Sequence, residues 1–195
     1  MNLKYKNHTI SFNNRLTLYL CISSFTLISS SQSLTYLPTT LRNLIGIILF
    51  ILLLEISYED IKSMLIPPKI LLMGTLMGLA ATLLSLAYKE TDSALHIIFD
   101  HLLASISSFL IMISISFLGK LSTQKDVLGI GDAKLCAMGG LWIGLEGILN
   151  ALIISFVTCG LLSLIARILR LLKPFQPFPF APFISLGVWC IWTTG

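Results

Sequence analysis

The stretch GIGDAKLCAMGGLWIGL, residues 129–145, puts an aspartate directly behind two glycines at the start of a long apolar run. Glycine weakens a helix, and a charged carboxylate is costly in lipid. Gly129 and Gly131 give the backbone torsional freedom and let a neighbouring chain come close. We therefore expect Asp132 to face a watery cleft inside a helical bundle. A simpler alternative is that Asp132 only caps the helix that follows it.

The composition around this stretch is that of a membrane protein. Of the 195 residues, 55% are hydrophobic and 11% are charged, and the mean hydropathy is +0.90. Soluble domains carry about 25% charged residues. The length suits one compact bundle in the lipid bilayer. The basic residues form no patch with interleaved aromatics, so no nucleic-acid partner is expected. The cysteines and histidines lack metal-site spacing, so no metal site is predicted.

The fold class is predicted to be all-α, a polytopic transmembrane bundle of about seven helices, because a span needs about 20 mostly apolar residues. The candidate segments are 16–35, 42–58, 70–88, 96–118, 133–146, 148–166 and 180–194. The first has two interpretations, a retained helix or a signal peptide, since a basic stretch precedes it and small polar residues follow it. We accordingly divide the chain into an N-terminal segment, 1–40, and a membrane-embedded domain, 41–195.

The distribution of lysine and arginine predicts the orientation of the bundle. With the N-terminus in the cytoplasm, all 13 basic residues except Arg42 and Lys89 fall on the cytoplasmic side. Asp60 ends the second segment and Asp132 begins the fifth. Two crossings separate them, so both aspartates are expected at the same membrane face.

Two carboxylates at one depth suggest a specific chemistry. If they lie close together they do not both ionise readily, and one keeps a proton. The charged carboxylate can activate a water molecule, and the protonated one can donate to the carbonyl under attack. That is aspartic peptide hydrolysis, which requires neither a metal nor a cofactor. Alternatively, Asp60 is an interfacial residue paired with Lys62 or Lys69.

Several motifs in a fixed order resemble the type IV prepilin peptidases, membrane aspartic proteases with a GxGD signature. D-x5-IP occurs at 60–67 as DIKSMLIP, and GxGDxK occurs at 129–134 as GIGDAK. The segment 179–187, PFAPFISLG, is similar to the PFGPF-x-x-LG segment of that family. The matched region runs from about residue 42 to 190. GxGD alone is a weak signal, whereas the ordered set is specific.

The resemblance implies a catalytic pair, Asp60 and Asp132, with Gly129, Gly131, Lys134 and Pro67 as positioning or substrate-facing residues. It implies an aspartic endopeptidase of the bacterial cytoplasmic membrane that cuts the basic leader from prepilins or pseudopilins at the cytoplasmic face. Lys134 is expected to reach anionic headgroups or to help the leader dock. Long family members also N-methylate their product through a cysteine-tetrad segment, and the sequence shows no such segment, so methylation is not predicted.

The chain departs from the family pattern at two further places. Pro68 follows Pro67 where the family has IPN or IPD, and Ala181 replaces a glycine. Asp100 and His101, early in the fourth segment, are expected to be packing or interfacial groups, too far from the cytoplasmic face to join the pair. Two other classes remain open. They are a transporter that uses the acids for ion binding, and an inactive subunit of a pilus or secretion complex.

Overall fold

The computed structural model describes residues 37–88, 94–124, 128–170 and 178–194, which form five helices. The predicted first segment, 16–35, lies outside the described residues. We number the helices in chain order, with these bounds: α1 Thr39–Ser63, α2 Pro68–Leu86, α3 Ala94–Thr123, α4 Ile130–Ile168 and α5 Ala181–Thr194.

The all-α fold is confirmed for the described residues, but the prediction of about seven helices is wrong. Three helices, α2, α3 and α4, are long and apolar enough to cross a membrane. The α5 helix has 14 residues, fewer than the roughly 20 that a span needs. The segments predicted at 133–146 and 148–166 correspond to the two halves of α4, which follow each other without a loop.

That element, α4, breaks at a single residue. Gly144 has φ 71° and ψ −178°, a conformation that residues with a Cβ rarely adopt. The two halves of α4 then lie against each other. The Ile148 side chain lies 3.2 Å from the place a Cβ on Gly139 would take. Two adjacent residues of α5, Val188 and Gly187, also contact Gly139 in the first half and Ala151 in the second half. In a straight helix those two positions would be about 18 Å apart, so the chain reverses direction at Gly144.

Glycines let the first half of α4 pack closely against α2. Gly74 and Gly78 are one helical turn apart on α2, and they contact Met138 and Trp142. The Trp142 indole Nε1–H donates to the Gly74 carbonyl at 3.0 Å. Without a hydrophobic driving force between helices in lipid, close backbone approach of this kind supplies the packing energy.

Similar contacts join α4 to α3 and α5. A Cβ on Gly140 would lie 2.7 Å from the Ala104 carbonyl carbon of α3. Gly187 of α5 lies directly against the Ala151 carbonyl in the second half of α4. The reversed α4 is therefore the centre of the described bundle, and α2, α3 and α5 pack around it.

The connection from α1 to α2 is short and stiff. Met64 has a left-handed φ of 53°, and its amide donates to the Asp60 carbonyl at 2.8 Å, which ends α1. Residues 65–67 lie outside any helix, Pro67 is extended, and α2 starts with Pro68 at its first position, where the missing N–H costs nothing. The tandem prolines thus place the end of α1 and the start of α2 next to each other.

Candidate active site

Asp60 lies on the last turn of α1, beyond the apolar stretch 42–58, and it is 6% exposed. Its carboxylate Oδ2 accepts a hydrogen bond from the Ala181 amide at 3.1 Å. Ala181 is the first residue of α5, so the carboxylate faces the positive end of that helix. Burial raises the pKa of Asp60 above its ordinary value, and the amides of Ala181 and Phe180 act against that rise.

Asp132 lies on the first turn of α4. Its Oδ2 accepts a hydrogen bond from the Gly129 amide at 3.2 Å, and its own amide donates to the Gly129 carbonyl at 3.1 Å. Gly129 is the N-cap, with extended torsions of φ −78° and ψ 147°. The capping interaction considered as the simpler alternative therefore exists. It occupies one carboxylate oxygen and leaves the other free of that contact.

The fold brings Asp60 and Asp132 together. Asp132 lies within electrostatic reach of Asp60. Such coupling between two carboxylates requires proximity and partial exclusion of water. The predicted convergence of the pair at one end of the bundle therefore agrees with the geometry.

The two motifs that carry these aspartates also touch. Three side-chain carbons of Ile66 lie 3.3–3.4 Å from the place a Cβ on Gly131 would occupy. Ile66 follows the left-handed turn after α1, so the extended segment 65–67 lies across the start of α4. Glycine at 131 permits this approach. The spacing of D-x5-IP thus has a physical explanation, since six residues lead from the carboxylate of Asp60 to the side chain that packs on Gly131.

The remaining predicted residues have different surroundings. Pro67 is the N-cap of α2 and is half-buried beside the site. Lys134 is exposed, two positions after Asp132. The Nζ of Lys62 lies 5.8 Å above the Tyr58 ring. The interfacial alternative for Asp60 paired it with Lys62 or Lys69, whereas the carboxylate binds the start of α5.

Sequence reasoning did not find the role of the α5 N-terminus. Residues 179–187 were recognised only as a segment similar to one in a known family, and nothing in their side chains indicated that backbone amides would bind Asp60. The signal that was available is Pro182 at the second helical position, which favours a helix start there. Three chain segments, from α1, α4 and α5, therefore meet at the acid pair.

The chain was compared with known proteins. The model of the type IV leader peptidase family matches residues 47–164. A prepilin leader peptidase/N-methyltransferase from Pectobacterium carotovorum subsp. carotovorum is 29% identical over 114 residues, which is 56% of this chain and 37% of that protein. The chain thus spans little more than a third of the length of this relative. No solved structure matches the chain.

Proposed function

The chain belongs to the type IV leader peptidase family, and on that premise we propose that it is a membrane aspartic endopeptidase with Asp60 and Asp132 as its catalytic pair. Its substrates are prepilins or pseudopilins, and it removes their basic leader at the cytoplasmic face of the bacterial inner membrane. The observation that carries the proposal is the convergence of the two motif segments at one end of the bundle, where Ile66 packs on Gly131 and Asp132 lies within electrostatic reach of Asp60. The proposal covers leader cleavage alone.

The chemistry follows from the shared charge of the pair. Two carboxylates held close together do not both ionise readily, so one of them holds a proton at the working pH. The ionised one takes a proton from a water molecule, whose oxygen attacks the scissile carbonyl carbon. The protonated one donates a hydrogen bond to the carbonyl oxygen as negative charge develops there. Collapse of the tetrahedral intermediate returns a proton to the leaving amine.

The backbone around the pair is suited to keep it in place. Asp60 is held by the first amide of α5, and Asp132 by the N-cap amide of α4. Both contacts come from backbone groups at helix ends, so the carboxylates need little reorganisation during the reaction. The exposed position of Lys134 at the same helix start supports a role at the membrane surface.

The topology supports a substrate whose scissile bond lies where its helix meets the membrane surface. A helical peptide shields its carbonyls, so the cleaved stretch must be extended. The exposed backbone at Gly129 leaves room for such a stretch beside Asp132. A single-pass protein with a basic leader and an apolar helix meets these requirements.

Leader removal in cells that co-express the enzyme with a prepilin-like substrate tests the proposal. Wild type is expected to convert the substrate to a shorter form on a gel. Asp60→Asn and Asp132→Asn are each expected to abolish conversion at unchanged protein levels. Glu55→Gln is the matched control, since Glu55 is an exposed acid on the same helix as Asp60.

The outcomes separate the competing functions. Conversion in either asparagine variant removes that residue from the catalytic role. Failure of wild type against both a prepilin and a pseudopilin contradicts the peptidase proposal and favours an inactive subunit or an ion-binding protein.

A further inference from the structure

The break at Gly144 separates two backbone groups that would bond in an unbroken helix. In α-helical geometry the Leu145 amide donates to the Leu141 carbonyl, four residues back. With φ 71° and ψ −178° at Gly144, that bond does not form. Unpaired backbone groups are costly in a membrane interior, since no water is there to replace the partner. The break therefore requires a separate donor and a separate acceptor.

Two adjacent residues of α3 supply them. The Asp100 carboxylate Oδ2 accepts from the Leu145 amide at 3.2 Å. His101 Nδ1 lies 2.7 Å from the Leu141 carbonyl oxygen, which only accepts, so Nδ1 carries the hydrogen. The Asp100 carboxylate thus binds the Leu145 amide, and the His101 imidazole binds the Leu141 carbonyl. Together they provide, from another helix, partners for the two backbone groups on either side of the break.

We call Asp100 and His101, bound to the Leu145 amide and the Leu141 carbonyl, the clamp. Its surroundings are closely packed. His101 is 2% exposed. The Asp100 Oδ2 lies 2.5 Å from the place where a Cβ on Gly144 would stand, so the carboxylate occupies the space that glycine leaves. The Thr82 hydroxyl of α2 also donates to the Leu141 carbonyl at 3.2 Å. Three helices are thus joined at the reversal of α4.

The reversal of α4 at Gly144 determines where Asp132 lies relative to α5, whose start binds Asp60. The first half of α4 carries Asp132 at its start. The second half packs against α5 through Gly187, and the Ser155 hydroxyl donates to the Phe183 carbonyl at 2.9 Å. The start of α5 in turn holds Asp60. A change of angle at Gly144 therefore moves Asp132 relative to the helix that binds Asp60.

We propose that Asp100 and His101 are positioning residues, which fix the reversal of α4 at Gly144 and thereby set the placement of Asp132 against Asp60. The inference rests on the proposed peptidase function for its activity readout. It assigns a function to an acid and a histidine of α3 that bind α4 at its break, at the opposite end of the first half of α4 from Asp132.

Two pairs of variants test this role. Asp100→Asn keeps an acceptor for the Leu145 amide, and His101→Asn keeps a donor at the position of Nδ1. Asp100→Ala and His101→Leu remove these groups. Because small misplacements of catalytic groups cost up to about a hundredfold, the removing variants are expected to lower the cleavage rate at saturating substrate by at least about tenfold. The asparagine variants are expected to stay within about twofold of wild type, a small effect for a retained hydrogen bond.

A second readout does not depend on activity. In chains whose 4 native cysteines are replaced by alanine, cysteines at positions 60 and 132 are joined with a short thiol cross-linker. Cysteines at positions 50 and 189 serve as the control, because the Phe50 and Trp189 ring centroids lie 4.7 Å apart on α1 and α5, neither of which carries Asp100, His101 or Gly144. We expect Asp100→Ala and His101→Leu to reduce only the 60–132 cross-link, and the asparagine variants to restore it.

Each result has a defined meaning. An unchanged 60–132 cross-link with unchanged cleavage overturns the positioning role. Loss of both cross-links overturns it too, since the residues would then only support folding. If wild type cleaves no substrate but the 60–132 cross-link responds to the clamp variants, the proposed function fails and the positioning role stands.

Discussion

Two aspartates in this protein, Asp60 and Asp100, make nearly the same contact. Each accepts a hydrogen bond from a backbone amide of another helix, at 3.1 and 3.2 Å. Their neighbours differ. Asp60 has a second carboxylate, Asp132, within electrostatic reach. Asp100 stands beside His101, and the pair satisfies both groups of a broken helical turn.

The difference shows that an acid inside an apolar bundle is not by itself a sign of catalysis. At the break of α4, the Asp100 carboxylate accepts a hydrogen bond from the Leu145 amide, and this contact stabilises the structure. At the acid pair, a second carboxylate lies within electrostatic reach, and the proposed function follows from two such groups sharing one proton.

The difference between Asp60 and Asp100 is tested most directly by neutralising each acid in turn. Asp60→Asn is expected to lower leader cleavage by at least about a thousandfold, as for other members of a catalytic unit. Asp100→Asn is expected to stay within about twofold of wild type, because the amide oxygen still accepts from Leu145. Initial rates on a purified substrate measure both. Equal losses in the two variants would show that both acids serve the same purpose.

The second prediction concerns the glycine that makes the clamp necessary. Gly144→Ala places a Cβ in a left-handed conformation against the Asp100 carboxylate, which is expected to cost about 1–3 kcal/mol in the free energy of unfolding. The melting temperature in detergent measures this loss.

Gly160→Ala is the matched control for that loss. Gly160 lies in the second half of α4, and a Cβ there meets no atom within 4 Å. Alanine in a helix interior is favoured over glycine by up to about 1 kcal/mol, so this variant should melt no lower than wild type. A Gly144→Ala variant as stable as wild type would mean that the reversal does not need a glycine.

The third prediction concerns the packing of Ile66 on Gly131, beside the acid pair. Gly131→Ala pushes against Ile66, and we expect cleavage to fall about tenfold because Asp132 is displaced. A Cβ on Gly129 would meet the Asp132 Oδ2 at 3.4 Å and the Gly131 nitrogen at 3.8 Å, so Gly129→Ala should have a smaller effect. Adding Ile66→Val to Gly131→Ala removes one of the crowding carbons, so rates should partly recover. No recovery would locate the defect outside this contact.

The smallest expected effect is on stability. Because burial raises the pKa of Asp60, the folded chain holds the proton more tightly than the unfolded chain does. The stability that Asp60 contributes to the folded chain is therefore fully present below the unfolded-state pKa. That contribution is lost as the pH rises through the folded-state pKa and the buried carboxyl becomes charged. Asp60→Asn, which stays neutral, should melt slightly above wild type at pH 7, and the difference should shrink toward about pH 4, near the ordinary aspartate value. A variant that melts lower at pH 7 contradicts this sign.

Much of the candidate site could be predicted from the sequence. The motif spacing around Asp60 and Asp132, with the count of crossings between them, placed both acids at one end of a bundle. The sequence also divided the apolar run of α4 near its break, into segments 133–146 and 148–166. It did not show that the two halves join without a loop, because hydropathy does not indicate that a single glycine, Gly144, can reverse the chain.

By itself, the sequence determined the apolar helices, the glycines that allow them to pack, and the two acids at helix ends, because these depend on local chemistry and on periodicity. Only the tertiary structure decided that the start of α5 binds Asp60, that Ile66 lies on Gly131, and that Asp100 and His101 complete the break in α4. Those contacts join residues distant in the chain through backbone amides and carbonyls. Every residue type except proline carries both groups, so no pattern of side chains could have indicated them.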